Sequence, residues 1–344
     1  MSPIRINLYS DTQTLPTPAM RKAMAEAPVG DEQRGEDPSV NRLCEVVAEL
    51  TGKEAAVFLP SGTMCNEIAI CVHCRPGDEI ITDRTAHILN LEGGAPAALS
   101  GASIWPLEGI HGVFTAAQLQ QGIRPQSRHT PRSRLVCVEQ TANLGGGTVW
   151  PLETIQAVAE MARTHQLALH MDGARLFNAV IATGIDAREH TASFDSVWFD
   201  LSKGLGCPVG GVLAGSAAFI EEAWWWKQRL GGAMRQAGIL AAAGLYALEH
   251  HIERLAEDHR NARRFAEHIA EIPGISVALA TVETNIVFFD VTATGLSAAE
   301  VSDKLKSYGV LIGATDKTRL RAVTHLDISQ TDIETAAKAL REIC

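Results

Sequence analysis

The nine residues LALHMDGAR (167–175) indicate the fold class more directly than any other part of the chain. The first five form a short, mainly apolar stretch that predicts a buried strand, and this strand delivers Asp172 at its carboxyl end. A helical pattern at residues 152–165 comes just before it, and helical and extended patterns alternate through the first three quarters of the sequence. This alternation predicts an α/β fold with a mostly parallel sheet between layers of helices.

Further elements extend the same alternation toward the N-terminus. Helices are predicted at residues 40–50 and 64–74, and strands at 55–59, 79–82 and 135–138. Ligands of open α/β sheets bind beyond the carboxyl ends of the strands. We therefore expect Ser61, Asp172 and Lys203, which all follow predicted strands, to lie around one site.

The length of the chain predicts two domains, because single hydrophobic cores stop growing near roughly 250–300 residues and this chain has 344. We expect a large domain over residues 1–245 and a smaller C-terminal α+β domain over residues 246–344. A long helical stretch at 239–272 would connect them. The smaller domain would contain extended stretches at 285–291 and 320–324 and helices at 298–308 and 331–343.

The composition is that of an acidic globular protein. Charged residues make up 20% of the chain, and the formal net charge is −10. A negative net charge without a clustered basic patch argues against binding to nucleic acid or to an acidic membrane. No apolar run approaches the roughly 20 residues of a membrane span, and residues 1–20 lack a signal pattern. We expect a cytoplasmic protein without a nucleic-acid or membrane partner.

The seven cysteines lie mostly in apolar segments and show no paired CxxC spacing. Such spacing would indicate a zinc site, so no metal is expected. Reduced, buried thiols are the simplest interpretation.

Lys203 lies in LSKGLG (201–206), an apolar stretch that stops abruptly in small residues, and it follows Asp172 by 203 − 172 = 31 residues. A lysine amine in an apolar pocket can form a Schiff base with an aldehyde, and a buried carboxylate can hold a pyridine nitrogen protonated. A protonated pyridine ring is an electron sink. The two residues predict a site for pyridoxal 5'-phosphate (PLP), although a surface lysine and a turn aspartate are commoner when either is taken alone.

Three further candidates have a structural explanation beside the functional one. Ser61-Gly62-Thr63, between a predicted strand and a helix, could hold a phosphate or simply cap the helix. His87 could stack on a cofactor ring, but a core histidine is the commoner case. Arg321 lies in an extended apolar segment, where either a substrate carboxylate or an internal salt bridge would balance its charge.

Eight motifs, in order along nearly the whole chain, resemble those of the low-specificity L-threonine aldolases. These are fold-type I PLP enzymes of the β-eliminating lyase group. The motifs are YSDTQT (9–14), RGEDP (34–38), PSGTM (60–64), AH (86–87), MDGAR (171–175), LSKGLG (201–206), MRQ (234–236) and RAVTHLD (321–327).

The resemblance implies an enzyme that cleaves a β-hydroxy-α-amino acid, of the threonine, allo-threonine or phenylserine type, to glycine and an aldehyde. It implies a homotetramer built from dimers with shared active sites. The implied cofactor residues are Lys203 as the Schiff-base lysine, Asp172 as the partner of the pyridine nitrogen, His87 on the ring, Gly62 and Thr63 at the phosphate, and Arg235 at the phosphate from a neighbouring subunit. Ser61, beside Gly62, is a further phosphate candidate, and Arg175, near Asp172, would contact either the ring oxygen or the substrate carboxylate. Ser10, Arg175 and Arg321 would bind the substrate carboxylate.

Two positions depart from the family pattern. Members typically have a histidine that contacts the substrate hydroxyl where this chain has Ala142, so we hypothesise that a water or another histidine supplies the base. Members usually have a tyrosine where this chain has Arg34, and a positive charge there would favour an acidic substrate. The alternative prediction is therefore a PLP-dependent lyase or dehydratase, or an aldolase acting on an acidic substrate such as β-hydroxyaspartate.

Overall fold

The structure, a computed structural model, describes residues 3–344. Within this range the strands, in chain order, are β1 (Ile6–Asn7), β2 (Ala55–Leu59), β3 (Asp78–Asp83), β4 (Ser103–Leu107), β5 (Arg132–Glu139), β6 (Ala168–Gly173), β7 (Ser196–Asp200), β8 (Gly211–Gly215), β9 (Ile286–Asp290), β10 (Val310–Leu311), β11 (Gly313–Ala314) and β12 (Arg319–Val323). The helices are α1 (Pro18–Ala25), α2 (Pro38–Thr51), α3 (Gly62–His73), α4 (His87–Asn90), α5 (Ala116–Gly122), α6 (Leu152–Thr164), α7 (Leu176–Thr183), α8 (Ala187–Thr191), α9 (Ala217–Arg229), α10 (Gly238–His250), α11 (Leu255–Ala270), α12 (Ala298–Ser307) and α13 (Gln330–Ile343).

Seven strands form the central sheet in the order β2-β8-β7-β6-β5-β3-β4. All neighbours pair in parallel except β8, which runs antiparallel to both β7 and β2. The predicted mostly parallel sheet between helices is therefore confirmed.

The inner strands of the sheet are buried on both faces. In β6, Leu169 and Met171 point to one face and are at most 1% exposed, while His170 on the other face is fully buried. Burying one large apolar side chain contributes about 1.5–3 kcal/mol. Burial of a strand on both faces is typical of a parallel sheet covered by helices.

Parallel pairing brings the carboxyl ends of neighbouring strands to one edge of the sheet. There β5 ends on Glu139, β6 delivers Asp172, and β7 ends on Asp200, three residues before Lys203. The turn after β2 leads through Ser61 into α3 at the same edge. This edge is where the sequence predicted the site.

A second, smaller sheet is antiparallel, in the order β11-β12-β9. It shares an apolar cluster with α11, α12 and α13. The N-terminal segment belongs to the same cluster, because Ile6 and Leu8 are buried in it and β1 pairs in parallel with β10.

The helical stretch predicted at 239–272 is two helices, α10 and α11, separated by a turn at residues 251–254. In that turn the Nδ1 atom of His251 lies 2.7 Å from the carbonyl oxygen of Leu205, in the loop that carries Lys203. The expected boundary after residue 245 falls inside α10, whose apolar residues pack in the larger cluster. The division into two domains stays a prediction, and this packing favours a boundary at the turn. No helix in the described residues is long and apolar enough to cross a membrane.

Candidate active site

A cavity of about 190 Å³ lies at the carboxyl edge of the central sheet. It brings together seven of the residues singled out from the sequence: Ser61, Gly62, Thr63, His87, Asp172, Arg175 and Lys203. Six others line it too, namely Thr12, Glu139, Asn143, Ala174, Trp198 and Asp200.

Lys203 is held at this cavity by one carboxylate. Its Nζ atom lies 3.1 Å from Oδ2 of Asp200, and its side chain is 14% exposed. The Oδ1 atom of the same carboxylate accepts hydrogen bonds from the backbone N–H and the hydroxyl of Ser202, which fix the turn after β7. The Lys203 amine therefore lies in a mainly enclosed site within reach of a ligand in the cavity.

Asp172 is buried, with two hydrogen-bond donors that orient its carboxylate. The backbone N–H of Ala174 donates to Oδ1 at 3.1 Å, and the side-chain amide of Asn66 donates to Oδ2 at 2.8 Å. Both donors are neutral. A cation in the cavity would supply the charge that a buried carboxylate requires.

His87 is oriented by two other acids. Its backbone N–H donates to Oε2 of Glu139 at 2.8 Å, and its Nδ1 atom lies 2.7 Å from Oε1 of Glu92. Burial would lower the pKa of His87, but the hydrogen bond to Glu92 and the charge of Asp172 outweigh it and raise that pKa above its ordinary value. The imidazole is therefore a hydrogen-bond donor toward Glu92.

Two buried acids near the cavity have strongly raised pKa values. Burial and the charge of Asp172 raise the pKa of Glu139 to about 7, although the backbone N–H groups of Asn143 and His87 favour its charged form. Burial and then the nearby Glu92 raise the pKa of Glu67 to about 9. Neither carboxyl oxygen of Glu67 has a hydrogen-bond partner among residues 3–344.

The start of α3 forms one wall of the cavity. The hydroxyl of Ser61 accepts from the backbone N–H of Met64 and caps the helix. The backbone N–H groups of Gly62 and Thr63 have no acceptor in the described residues, so they are free to bind an anion. A Cβ atom on Gly62 would collide with the Trp198 indole, so only glycine allows this close approach. The cap and the anion site predicted as alternatives are thus compatible.

Arg175 and Arg321 differ in their partners. The Nε and Nη2 atoms of Arg175 bind both oxygens of Asp11, at 2.7 and 2.8 Å. Arg321 donates instead to neutral oxygens, the side-chain oxygen of Asn143 at 2.7 Å and the backbone of Tyr9. It forms no salt bridge with any residue in the range 3–344. Burial, and then the charge of Arg175, lower the pKa of Arg321.

The other predicted site residues do not line this cavity. Ser10 is buried beside it and caps a turn that contains Asp11 and Thr12. Arg34 is exposed and pairs with Glu36 at 3.0 Å, and Arg235 is exposed and pairs with Asp31 at 2.8 Å.

Ala142 is buried, and two glycines lie close to its methyl group. Cβ atoms built on Gly112 and Gly145 would lie 2.5 and 2.9 Å from the Cβ of Ala142. The methyl group therefore packs against the turn at residues 110–113. This close approach leaves little space beside the methyl group for a larger side chain.

Several residues of the site were not identified as candidates from the sequence. Two of them, Glu139 and Asn66, could have been identified from their positions in the sequence. Glu139 ends a parallel strand in the same way as Asp172, so strand-end carboxylates identify both. Asn66 lies four residues after Gly62, which places the two on the same face of α3. No pattern in the sequence indicates Glu92 or the contact between Asp11 and Arg175.

Comparison with known proteins identifies the family. The model of the beta-eliminating lyase family matches residues 7–293. The chain is 42% identical to the low specificity L-threonine aldolase of Escherichia coli (strain K12), over 96% of this chain and 97% of that protein. It is 40% identical to low-specificity L-threonine aldolase 1 of Arabidopsis thaliana, over 95% of this chain and 93% of that protein.

The fold is also that of a solved threonine aldolase structure from Leishmania major. The TM-score is 0.83 at 19% identity, and the match covers 98% of this chain and 99% of the other. At that identity the likeness shows the fold, which is the type I fold of PLP enzymes. The chain therefore belongs to the beta-eliminating lyase family and, within it, to the low-specificity L-threonine aldolases.

Proposed function

We propose that the protein is a PLP-dependent aldehyde-lyase that cleaves the Cα–Cβ bond of β-hydroxy-α-amino acids, giving glycine and an aldehyde. The observation that carries this proposal is the cavity in which Lys203, Asp172 and His87 meet. Its support from outside the structure is the 42% identity to a low specificity L-threonine aldolase along nearly the whole chain.

The residues present fit PLP at three points. Lys203 would hold the cofactor covalently through its amine. Asp172, whose hydrogen-bond donors are neutral, would bind the protonated ring nitrogen. The first turn of α3, with Ser61, Gly62 and Thr63, would bind the phosphate, and the collision that a side chain on Gly62 would cause supports a close approach there. The bound cofactor supplies the electron sink that cleavage of the Cα–Cβ bond requires.

The substrate carboxylate would bind to Arg321, because this guanidinium has no acidic partner in the described chain. Arg175 would contribute less directly, since two of its nitrogen atoms are already bound to Asp11. Ser10 would complete the set. Binding of an anion here would also reduce the repulsion between Arg175 and the half-buried Arg321, and a carboxylate fits the planar guanidinium through two parallel hydrogen bonds.

Removal of the proton from the substrate hydroxyl requires a base in the cavity. The hypothesis of a water or another histidine remains, with His87 as the histidine that lies there. Glu139 is a further candidate, because it lines the cavity and has a pKa of about 7. A base is most effective when its pKa lies near the working pH.

We further propose a homotetramer built from dimers and a cytoplasmic location. Arg235 supports shared active sites, because it is exposed and does not line the cavity of its own chain. A role at the phosphate would therefore be exercised in a partner subunit. Arg34 is exposed on a segment that also contacts the Arg235 loop. It would therefore reach a substrate that is bound in a partner subunit. All seven cysteines are unpaired in the described chain, which agrees with a reducing compartment.

A product assay tests the proposed function. The purified protein, loaded with PLP, is incubated with threonine, allo-threonine, phenylserine and β-hydroxyaspartate, and glycine, aldehyde and ammonia are measured separately. Equal amounts of glycine and aldehyde support the proposal, and ammonia without glycine supports the dehydratase alternative. The Lys203→Ala variant should lose the covalent cofactor and about 10²–10⁴-fold in rate.

A further inference from the structure

Asn66 uses every hydrogen-bonding position of its buried side-chain amide. The amide nitrogen donates to Oδ2 of Asp172 at 2.8 Å and to Oε1 of Glu92 at 2.7 Å. The amide oxygen accepts from Nε1 of Trp198 at 2.6 Å and lies 3.1 Å from Nε2 of His170. Its side chain is fully buried on α3.

The orientation of this amide is determined by its neighbours. The Trp198 indole nitrogen can only donate, and the two carboxylates can only accept. A flipped Asn66 would point its oxygen at two acids and its nitrogen at an indole N–H, which is unfavourable on both sides. The amide is therefore fixed with its nitrogen toward the acids.

A chain of neutral groups supports the amide from behind. Because the Asn66 oxygen accepts, Nε2 of His170 must carry its proton, which leaves Nδ1 as an acceptor for the hydroxyl of Ser196 at 2.8 Å. Nε2 of His73 lies 2.8 Å from the same hydroxyl. Burial lowers the pKa of His170 to about 3 and that of His73 to about 4, so both rings are neutral.

The two acids that share the amide have different tasks in the proposed site. Asp172 would bind the ring nitrogen of PLP, and Glu92 orients His87, which would lie on the ring. The Asn66 amide thus connects Asp172, which would bind the ring nitrogen, with Glu92, which orients the imidazole that would lie on the ring. Two carboxylates that converge on one amide repel each other, and the two N–H donors reduce that repulsion.

We infer that Asn66 is a positioning residue for the cofactor, which sets the carboxylate of Asp172 and, through Glu92, the imidazole of His87. This inference rests on the proposed function, because it assumes PLP in the cavity. Asn66 does not touch the reacting atoms. It determines how strongly the ring nitrogen is held and how readily that nitrogen keeps its proton.

The test is to measure the PLP affinity and the pH titration of the cofactor's absorbance in three variants. Asn66→Ala removes both donors, and it should weaken PLP binding about tenfold and shift the absorbance transition. Trp198→Phe keeps an aromatic ring but removes the N–H group that fixes the Asn66 amide. It should therefore weaken PLP binding and shift the absorbance transition in the same direction as Asn66→Ala, but to a smaller extent. The matched control is Asn261→Ala, another buried asparagine, which donates to the Ile328 carbonyl far from the cavity. It should affect thermal stability alone.

The outcomes separate the inference from the proposed function. If wild type binds no PLP at Lys203, the proposed function fails. If wild type binds PLP but Asn66→Ala retains its affinity within twofold and its titration unchanged, the inference is overturned. If Asn66→Ala does not fold, Trp198→Phe decides, because an unchanged affinity and titration in that variant overturn the inference equally.

Discussion

Asp11 and Arg175 form a bidentate ion pair in which both side chains are almost completely buried, with distances of 2.7 and 2.8 Å. Asn285 adds a third contact by donating to Oδ2 of Asp11 at 3.1 Å. The pair therefore joins the N-terminal segment, the turn after β6 and the segment that leads into β9. The carboxylate site proposed at Arg321 lies near this pair, because the charges of both Asp11 and Arg175 act on the Arg321 guanidinium.

Breaking this pair should strongly destabilise the protein. Asp11→Asn leaves a buried guanidinium without its counter-charge, and we expect a loss of about 3–5 kcal/mol in the free energy of unfolding. Urea denaturation measures it. The control is Glu45→Gln, which removes the exposed pair with Arg42 and should cost less than about 1 kcal/mol. Equal losses in the two variants would contradict the prediction.

The same pair predicts a pH dependence. Burial would raise the pKa of Asp11, but Arg175 holds it well below its usual range. A lowered pKa in the folded state means that the stabilisation is present above the unfolded value of 3.8 and is lost as the pH falls below it. The difference in stability between wild type and Asp11→Asn should therefore be constant from about pH 5 to 8. A difference that disappears within that window would rule out the pair as its source.

Glu139→Gln tests the proposed base. A carboxylate can act as a base only when it is ionised. If Glu139, with a pKa of about 7, is the base, kcat/KM falls as the pH decreases below 7. In the glutamine variant this acidic limb should disappear, and the rate should decrease about 10²–10⁴-fold. The pH profile of the retro-aldol reaction is the measurement. An unchanged limb would assign it to another group, such as His87.

Glu67→Gln should make the stability less dependent on pH. The pKa of Glu67 is raised to about 9, so the folded state keeps a proton that the unfolded state releases above its ordinary pKa of 4.5. Folding stability therefore decreases as the pH rises between these values, by at most about 1.4 kcal/mol per unit. We expect Glu67→Gln to be more stable than wild type at pH 8 and similar at pH 5, in thermal melts at equal protein and PLP concentrations. Parallel curves for the two proteins would refute this.

Introducing the family histidine at position 142 should destabilise the protein instead of simply restoring a contact. The methyl group of Ala142 already packs against Gly112 and Gly145, so Ala142→His must displace that turn, at a cost of about 1–3 kcal/mol. Ala299→His, at an exposed position of α12, is the control. Rates with threonine and phenylserine are measured together with the melting temperature. Unchanged rates and an unchanged threo/erythro preference would show that the side chain at position 142 does not act on the substrate hydroxyl.

Arg34→Tyr tests the proposed contact with an acidic substrate. Losing one charged hydrogen bond should lower kcat/KM about tenfold for β-hydroxyaspartate and leave threonine unaffected. Stability should change little, because the pair of Arg34 with Glu36 is exposed. Arg42→Gln is the control, because it removes one positive charge at another exposed position. Equal effects on β-hydroxyaspartate and threonine would reject the proposal that Arg34 recognises an acidic substrate.

The strand-end residues were predictable because of a general property of parallel sheets. An apolar strand that ends on a carboxylate, as at Asp172, predicts an α/β sheet and the edge at which a ligand would bind, and Lys203 follows the neighbouring strand in the same way. The eight motifs added the family and, with it, the class of substrate. These signals are local in sequence, so one chain is sufficient to read them.

Contacts between distant segments were not predictable, since nothing in a single sequence specifies them. Asp11 and Arg175 are 164 residues apart, and Asn66 meets Asp172 across 106 residues. The packing of Ala142 depends on where the turn at 110–113 lies. Only the folded arrangement shows that this position is filled.

The pairing of β1 with β10 has a consequence for how the enzyme is made. Ile6 pairs with Val310, so the partner of this segment is synthesised only 310 − 6 = 304 residues after the segment itself. Asp11 lies on that segment, and translation proceeds at about 5–20 residues per second. During this interval the nascent chain can build its central sheet, but the Arg175 side of the cavity is completed only after β10 has been synthesised. Premature termination anywhere before β10 should therefore yield a chain without a finished catalytic pocket.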